Sequence, residues 1–275
     1  MDALYSPGLF RDEVVFITGG GTGIGRTVAR ELGSLGAKIA ICGRRQEPLD
    51  AAAAELEAAG ITTFHATCDI RKADEVAALV TQIKERLGSI DVLINNAGGQ
   101  FPAPAQMISP KGFEAVVRNN LLGTWTVTHA VGNQCFLPQR RGRIVNIVAQ
   151  IARGFPGMIH TGAARAGVEN LTKTLAVEWS QFGVRANAVA PGVIRTSGTD
   201  QYPPELLENG RLGNPLRRLG TQEEVSHLIT YLASRYADFI TGQTVYIDGG
   251  ASLWGDTWYI PEEVPQYPPY PVPGD

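Results

Sequence analysis

The sequence predicts a doubly wound α/β fold, a parallel sheet with helices on both faces, and three observations carry that expectation. Short β-branched runs alternate with Ala/Leu/Glu-rich stretches of helical spacing from residue 14 to about residue 247. The runs are almost continuously apolar, as expected of strands covered on both faces. A glycine-rich turn follows the first run and opens the first helix.

Residues 14–17, 38–41, 91–94, 143–147 and 185–189 read as buried strands. Between them, 27–35, 48–59, 73–87 and 162–179 place apolar residues at helical spacing. The chain changes character at its end. Six prolines fall between Pro261 and Pro273, interleaved with Tyr267 and Tyr270, which predicts an extended tail rather than a helix. The expected organisation is one domain over 1–255 and a Pro/Tyr-rich tail over 256–275, with Trp254, Trp258 and Tyr259 able to cap a pocket or a neighbouring subunit.

Composition narrows the functional classes. Of 275 residues, 44% are apolar and 19% charged, which excludes a largely disordered chain. The balance of 24 Lys plus Arg against 27 Asp plus Glu gives a net charge of -3, so neither nucleic acid nor a membrane surface is an expected partner. No run reaches the roughly 18 apolar residues of a membrane span. The first residues lack a signal-peptide pattern, and Pro273-Gly274-Asp275 is not a peroxisomal tripeptide. Cys42, Cys68 and Cys135 are isolated and read as buried free thiols. His65, His129 and His227 lack metal-ligand spacing, so no metal centre is expected, and the expected compartment is cytoplasmic.

Glycines in Thr18-Gly19-Gly20-Gly21-Thr22-Gly23-Ile24-Gly25 let the backbone turn sharply and approach a pyrophosphate at a helix N-terminus. Gly19, Thr22, Gly23, Ile24 and Gly25 are therefore candidate dinucleotide-binding residues. An NAD site places an acid about 20 residues on. Here the second strand ends in Arg44-Arg45, two guanidiniums suited to a 2′-phosphate, which predicts NADP(H).

The spacing of that turn, together with Asn95-Asn96-Ala97-Gly98, Asn120-Leu121-Leu122-Gly123-Thr124, Pro191 to Thr196 and Asp248-Gly249-Gly250, resembles the short-chain dehydrogenase/reductase family over about residues 11–252. The resemblance implies that Asp69 and Ile70 flank the adenine and that Asn96, Ala97 and Gly98 line the cofactor. It implies further that Pro191, Gly192, Ile194 and Thr196 meet the nicotinamide end and that the assembly is a homotetramer.

That family reduces carbonyls with a Ser, a Tyr, and a Lys four residues after the Tyr. The matching positions here hold Ala149, Thr161 and Arg165, and no tyrosine occurs between Tyr5 and Tyr202. Thr161 is a far weaker acid than a phenol, whose pKa is about 10. Arg165 lies one helical turn on and can donate to ribose hydroxyls, but it never gives up a proton. The segment 162–179, with Pro215 to Gly220, is similar to the 2,4-dienoyl-CoA and trans-2-enoyl-CoA reductase branch, which implies hydride transfer to a conjugated acyl-CoA. Asn120 would then donate to the thioester oxygen. His160 is a candidate proton source, Gln150 a candidate for orienting a carbonyl, and Arg140, Arg141 and Arg143 a candidate phosphate contact. Two other readings remain open here: a non-redox member kept as a binding module, and an alcohol or aldehyde oxidoreductase with another proton path.

Overall fold

The structure, a computed structural model, describes residues 5–196, 199, 204–255 and 258–266. Seven strands form one sheet in the order β3-β2-β1-β4-β5-β6-β7, and every neighbouring pair is parallel. They are β1 (Val14–Thr18), β2 (Lys38–Gly43), β3 (Thr63–Thr67), β4 (Val92–Asn95), β5 (Gly142–Ile147), β6 (Val184–Pro191) and β7 (Thr244–Ile247). The helices are α1 (Gly23–Ser34), α2 (Gln46–Ala58), α3 (Ala73–Leu87), α4 (Pro110–Val117), α5 (Gly123–Val131), α6 (Leu137–Gln139), α7 (Ile159–Glu178), α8 (Pro204–Leu212) and α9 (Gln222–Ala233).

Alternation along the strands explains their apolar runs. Val15 and Ile17 enter a core beneath α1, α2 and α9 with Val28, Leu32, Leu49 and Ile229. Val14 and Phe16, one residue out of step, enter a second core with Val76, Leu79 and Ile83 of α3, Val127 of α5 and Leu175 of α7. Each strand therefore needs apolar side chains at successive positions. The five expected strands are present, four of them slightly longer and β4 shifted by one residue. The two that the apolar-run criterion does not single out, β3 and β7, are the sheet edges and are only partly buried. Thr63, His65, Thr67 and Thr244 are tolerated there because one flank faces solvent.

The strand order reverses between β1 and β4, so a crevice opens at their C-terminal ends. All three cysteines are buried free thiols. Among the described residues no helix is long and apolar enough to cross a membrane. The tail's Tyr267, Tyr270 and last prolines lie outside the described residues. The described part, 258–266, contains no helix and is held by Arg217, whose Nη2 donates to Ile260 O at 2.6 Å and whose Nε donates to Pro261 O at 2.9 Å.

Candidate active site

The glycine-rich turn is pinned from β4. Asn96 Nδ2 donates to Thr18 O (3.0 Å) and Gly19 O (3.1 Å), while the Asn96 and Ala97 N–H groups donate to Thr18 Oγ1 at 3.1 and 3.0 Å. Gly25 is where the turn folds back on itself. A Cβ there would collide with Gly19 O and stand 2.6 Å from Asn96 Nδ2. Thr22 is the N-cap of α1, yet its hydroxyl caps nothing and the first turn holds no acid. The leading N–H groups of α1 are left without side-chain partners, the condition for holding an anion. Ile24 packs on the core, and Thr196 lies beside Gly23. Pro191 O accepts from Gln150 N at 3.0 Å, Gly192 N donates to Ile247 O at 3.0 Å, and Ile194 is buried and bridged to Gly220.

At the adenosine corner Arg44 and Arg45 are exposed, and neither forms an ion pair among the described residues. Asp69 is clasped by Arg71, Nε to Oδ1 at 2.8 Å and Nη2 to Oδ2 at 2.5 Å. That clasp holds its carboxyl down at about 2, against the smaller opposing effect of burial. The Ile70 side chain is in the core, where a Cβ on Gly123 would lie 2.7 Å from it.

The reactive end lies where β4 and β5 meet α7. Asn120 sits in a π-helical turn, Arg118–Leu122, between α4 and α5, the kind of irregularity that aims a side chain inward. It is fully buried, and its amide is spent. Nδ2 donates to Gly99 O (2.8 Å) and Val116 O (3.0 Å), and Oδ1 accepts from Gly99 N (3.2 Å). The expectation that Asn120 donates to a thioester oxygen is therefore corrected, because no amide hydrogen is left. It fixes the 98–99 backbone instead.

Thr161 and Arg165 face inward from α7, as their one-turn spacing requires. Thr161 is fully buried, with its hydroxyl 3.2 Å from His160 Nδ1. His160 Nδ1 accepts from Thr161 N at 2.8 Å, its Nε2 is buried without a partner, and Phe101 packs edge-on at 4.6 Å between ring centroids. Burial pushes the imidazole below its ordinary range, so the ring is neutral at neutral pH. Arg165 is 6% exposed. Its one hydrogen bond among the described residues runs from Nη1 to Ile147 O at 2.8 Å, and no carboxylate pairs with it. Burial alone lowers it to about 10. Gly98 makes room for this arrangement, because a Cβ there would strike Arg165 Nη2 and lie 2.7 Å from Asn120 Oδ1.

Two placements differ from the sequence reading. The arginines at the start of β5 lie at the end of the sheet away from the crevice and are engaged: Arg141 with Asp91 (2.5 Å), Arg143 with Glu13 (2.6 Å), and Arg140 with Gln181 O (2.7 Å). Those contacts tie the start of β5 to neighbouring segments. A buried polar ladder was not anticipated. Asn95 Nδ2 donates to Asn146 Oδ1 and Thr128 Oγ1, and Asn146 Nδ2 donates to Thr172 Oγ1, each at 2.9 Å. Its signal was an asparagine inside each of two apolar strands. The ladder ties β4 and β5 to α5 and α7 and so fixes the floor of the site.

The known proteins that resemble this chain fit the crevice. A family model described as enoyl-(acyl carrier protein) reductase matches residues 19–252. A peroxisomal 2,4-dienoyl-CoA reductase of Danio rerio is 37% identical over 264 residues, 91% of this chain and 85% of the relative. A solved citronellol catabolism dehydrogenase of Pseudomonas aeruginosa is 44% identical with a TM-score of 0.83, covering 92% of this chain and all of that one, 100%. A gluconate 5-dehydrogenase of Burkholderia cenocepacia, solved with NADP and tartrate, is 32% identical with a TM-score of 0.82 over 89% of this chain and 98% of that one. The chain belongs to the short-chain dehydrogenase/reductase family, a family of oxidoreductases that use a nicotinamide dinucleotide. Its own residues fit that group: an uncapped helix start, a turn that a Cβ at Gly25 would fill, and a buried unpaired cation at the reactive end.

Proposed function

We infer that the protein reduces an activated C=C bond of an enoyl- or dienoyl-CoA with NADPH. One observation carries this reading. The dinucleotide cradle is complete, whereas the reactive end holds a buried threonine and an arginine where carbonyl reduction needs a phenol and an amine. When bound, the dinucleotide supplies a hydride. An alkoxide formed from a ketone would need a proton on oxygen, and neither Thr161 nor Arg165 is an acid for it. An enolate formed from a conjugated thioester instead takes its proton on carbon, from water. Relatives named as 2,4-dienoyl-CoA reductases support the same choice.

Arg44 and Arg45 read the 2′-phosphate, their charges being unclaimed by any carboxylate among the described residues. Gln150, at the end of β5, lies where it would orient the substrate. The chain works as a cytoplasmic homotetramer in this reading. Exposed Leu122, Trp125, Ile159 and Val177 on and beside α5 and α7 supply an apolar face for assembly. A second reading, interconversion of an alcohol and an aldehyde, is favoured by the likeness to a citronellol catabolism dehydrogenase. The test follows NADPH oxidation with trans,trans-2,4-hexadienoyl-CoA, trans-2-hexenoyl-CoA and citronellal. Turnover of a CoA ester with none of the aldehyde supports the first reading, and the reverse pattern overturns it.

A further inference from the structure

Arg165 poses a physical problem that the cofactor alone does not solve. It is 6% exposed, carries a permanent charge, and among the described residues has no carboxylate partner and a single carbonyl acceptor. An unpaired buried cation is costly, and a negative charge brought to it would offset that cost. Ribose hydroxyls are neutral; they can accept hydrogen bonds but cannot compensate the charge. The geometry offers a better counterpart. Nη1 is tethered to Ile147 O at the end of β5, and Nη2 reaches the backbone of Gly98 at the end of β4. The guanidinium thus lies between the segments that leave β4 and β5 at the C-terminal side of the sheet, one helical turn from Thr161. The two neighbours able to compete for an oxygen are spent or differently placed: the amide of Asn120 is saturated, and Nε2 of His160 is enclosed with Phe101 packed against its ring.

We propose that Arg165 binds the substrate's carbonyl oxygen and holds the negative charge that develops there, rather than serving chiefly as a ribose clamp. The proposal rests on the C=C reduction reading. Hydride adds to the δ carbon of a 2,4-dienoyl thioester, the Cγ=Cδ π bond breaks, and the electron pair moves through the conjugated chain to the thioester oxygen. NADPH is oxidised to NADP⁺ and the thioester becomes a dienolate paired with Arg165. Water then gives a proton to carbon, and the hydroxide left behind is taken up by solvent. Arg165 changes no bond; it lowers the energy of the charged state. An arginine suits this work better than a lysine because its planar fork can meet the oxygen while one arm stays on Ile147.

The test uses the full chain with trans,trans-2,4-hexadienoyl-CoA. With NADP⁺ in place of NADPH no reduction occurs, and a cation on the carbonyl should shift the dienoyl absorption band to longer wavelength. Wild type should show the shift and Arg165→Gln should lose it. In turnover, Arg165→Gln should lower kcat about 10²–10³-fold, the cost of removing a donor from an oxyanion site, with the Kd for NADPH changed less than about 3-fold. Arg165→Lys keeps the charge and should restore the band shift and at least about 10-fold of the lost kcat. Should the Gln variant not fold, the Lys variant decides, and a shift lost there overturns the assignment. A loss confined to NADPH affinity would make Arg165 a ribose clamp and also overturn it. Wild type that shifts the band without oxidising NADPH would leave the Arg165 role standing and remove the reduction reading. Turnover without a band shift would remove the Arg165 role alone, and absence of both would remove both.

Discussion

The two ends of the crevice solve opposite problems. At the pyrophosphate end, polar groups are left open. Thr22 and Thr221 are both threonine N-caps in extended conformation, on helices that share one core. Thr221 accepts from Glu224 N at 3.2 Å and its own N–H donates to Glu224 Oε2 at 2.9 Å, a complete capping box. Thr22 caps nothing. One helix start is closed by its own side chains; the other is left bare. At the reactive end nearly everything is closed, since Asn120 and Thr161 are fully buried and hydrogen-bonded, and Arg165 alone keeps an uncompensated charge. The first end leaves donors unsatisfied, and the second leaves one buried cation without a counter-charge among the described residues.

The strongest way to break the open end is to fill it. Gly25→Val places side-chain carbon against Gly19 O and Asn96 Nδ2, so the turn must move off α1. The expected result is an NADPH affinity lower by at least about 100-fold, which is roughly 2.7 kcal/mol. Overpacking should also cost about 1–3 kcal/mol of stability. Fluorescence titration and a melting curve measure the two effects. An NADPH affinity within 3-fold of wild type would show that the bare helix start is not the anion site.

A smaller effect sharpens the comparison. Arg44→Ala combined with Arg45→Ala should weaken NADPH by about 10–100-fold, as expected for losing one charge-assisted hydrogen bond worth about 1.5–3 kcal/mol. NADH, which lacks the 2′-phosphate, should change little. Equal losses for the two dinucleotides would assign the pair to general electrostatics instead.

The open end was legible in the sequence and the closed end was not, for a physical reason. Glycines, a strand-helix junction and a pair of arginines declare backbone geometry and charge directly: Gly19 to Gly25 lie at the junction of β1 and α1, and Arg44 directly after β2. The replacement of Tyr and Lys by Thr161 and Arg165 was equally plain. What those residues do depends on contacts between distant segments. That Asn120 spends its amide on Gly99, 21 positions away, is a matter of packing, as is the removal of Ile70 into the core by Gly123. Edge strands β3 and β7 escaped the apolar-run criterion for a related reason, since an edge need not be apolar throughout. The Asn95-Asn146-Thr172 ladder was written in the sequence only as two polar residues inside apolar strands, and its partners come from helices far along the chain.

The smallest predicted effect concerns His160 and separates a buried neutral ring from a proton donor. Burial lowers its folded-state pKa beneath the ordinary value of 6.5. The unfolded chain therefore binds a proton at a pH where the folded chain does not, and stability falls as pH drops below about 6.5. The stabilisation is fully present above that pH and is lost as pH falls toward the folded-state value. The loss is at most about 1.4 kcal/mol per pH unit for one such group. His160→Gln cannot titrate, so its melting temperature should fall less than that of wild type between pH 7.5 and pH 5.5. A ring that instead acted as the proton donor would impose its own pKa on kcat, and the Gln variant would lose both the activity and that pH dependence. Parallel melting curves for the two proteins, with a kcat profile that moves with His160, would place the histidine in the chemistry. Diverging melting curves with a kcat profile common to both would keep it in the scaffold that holds Thr161.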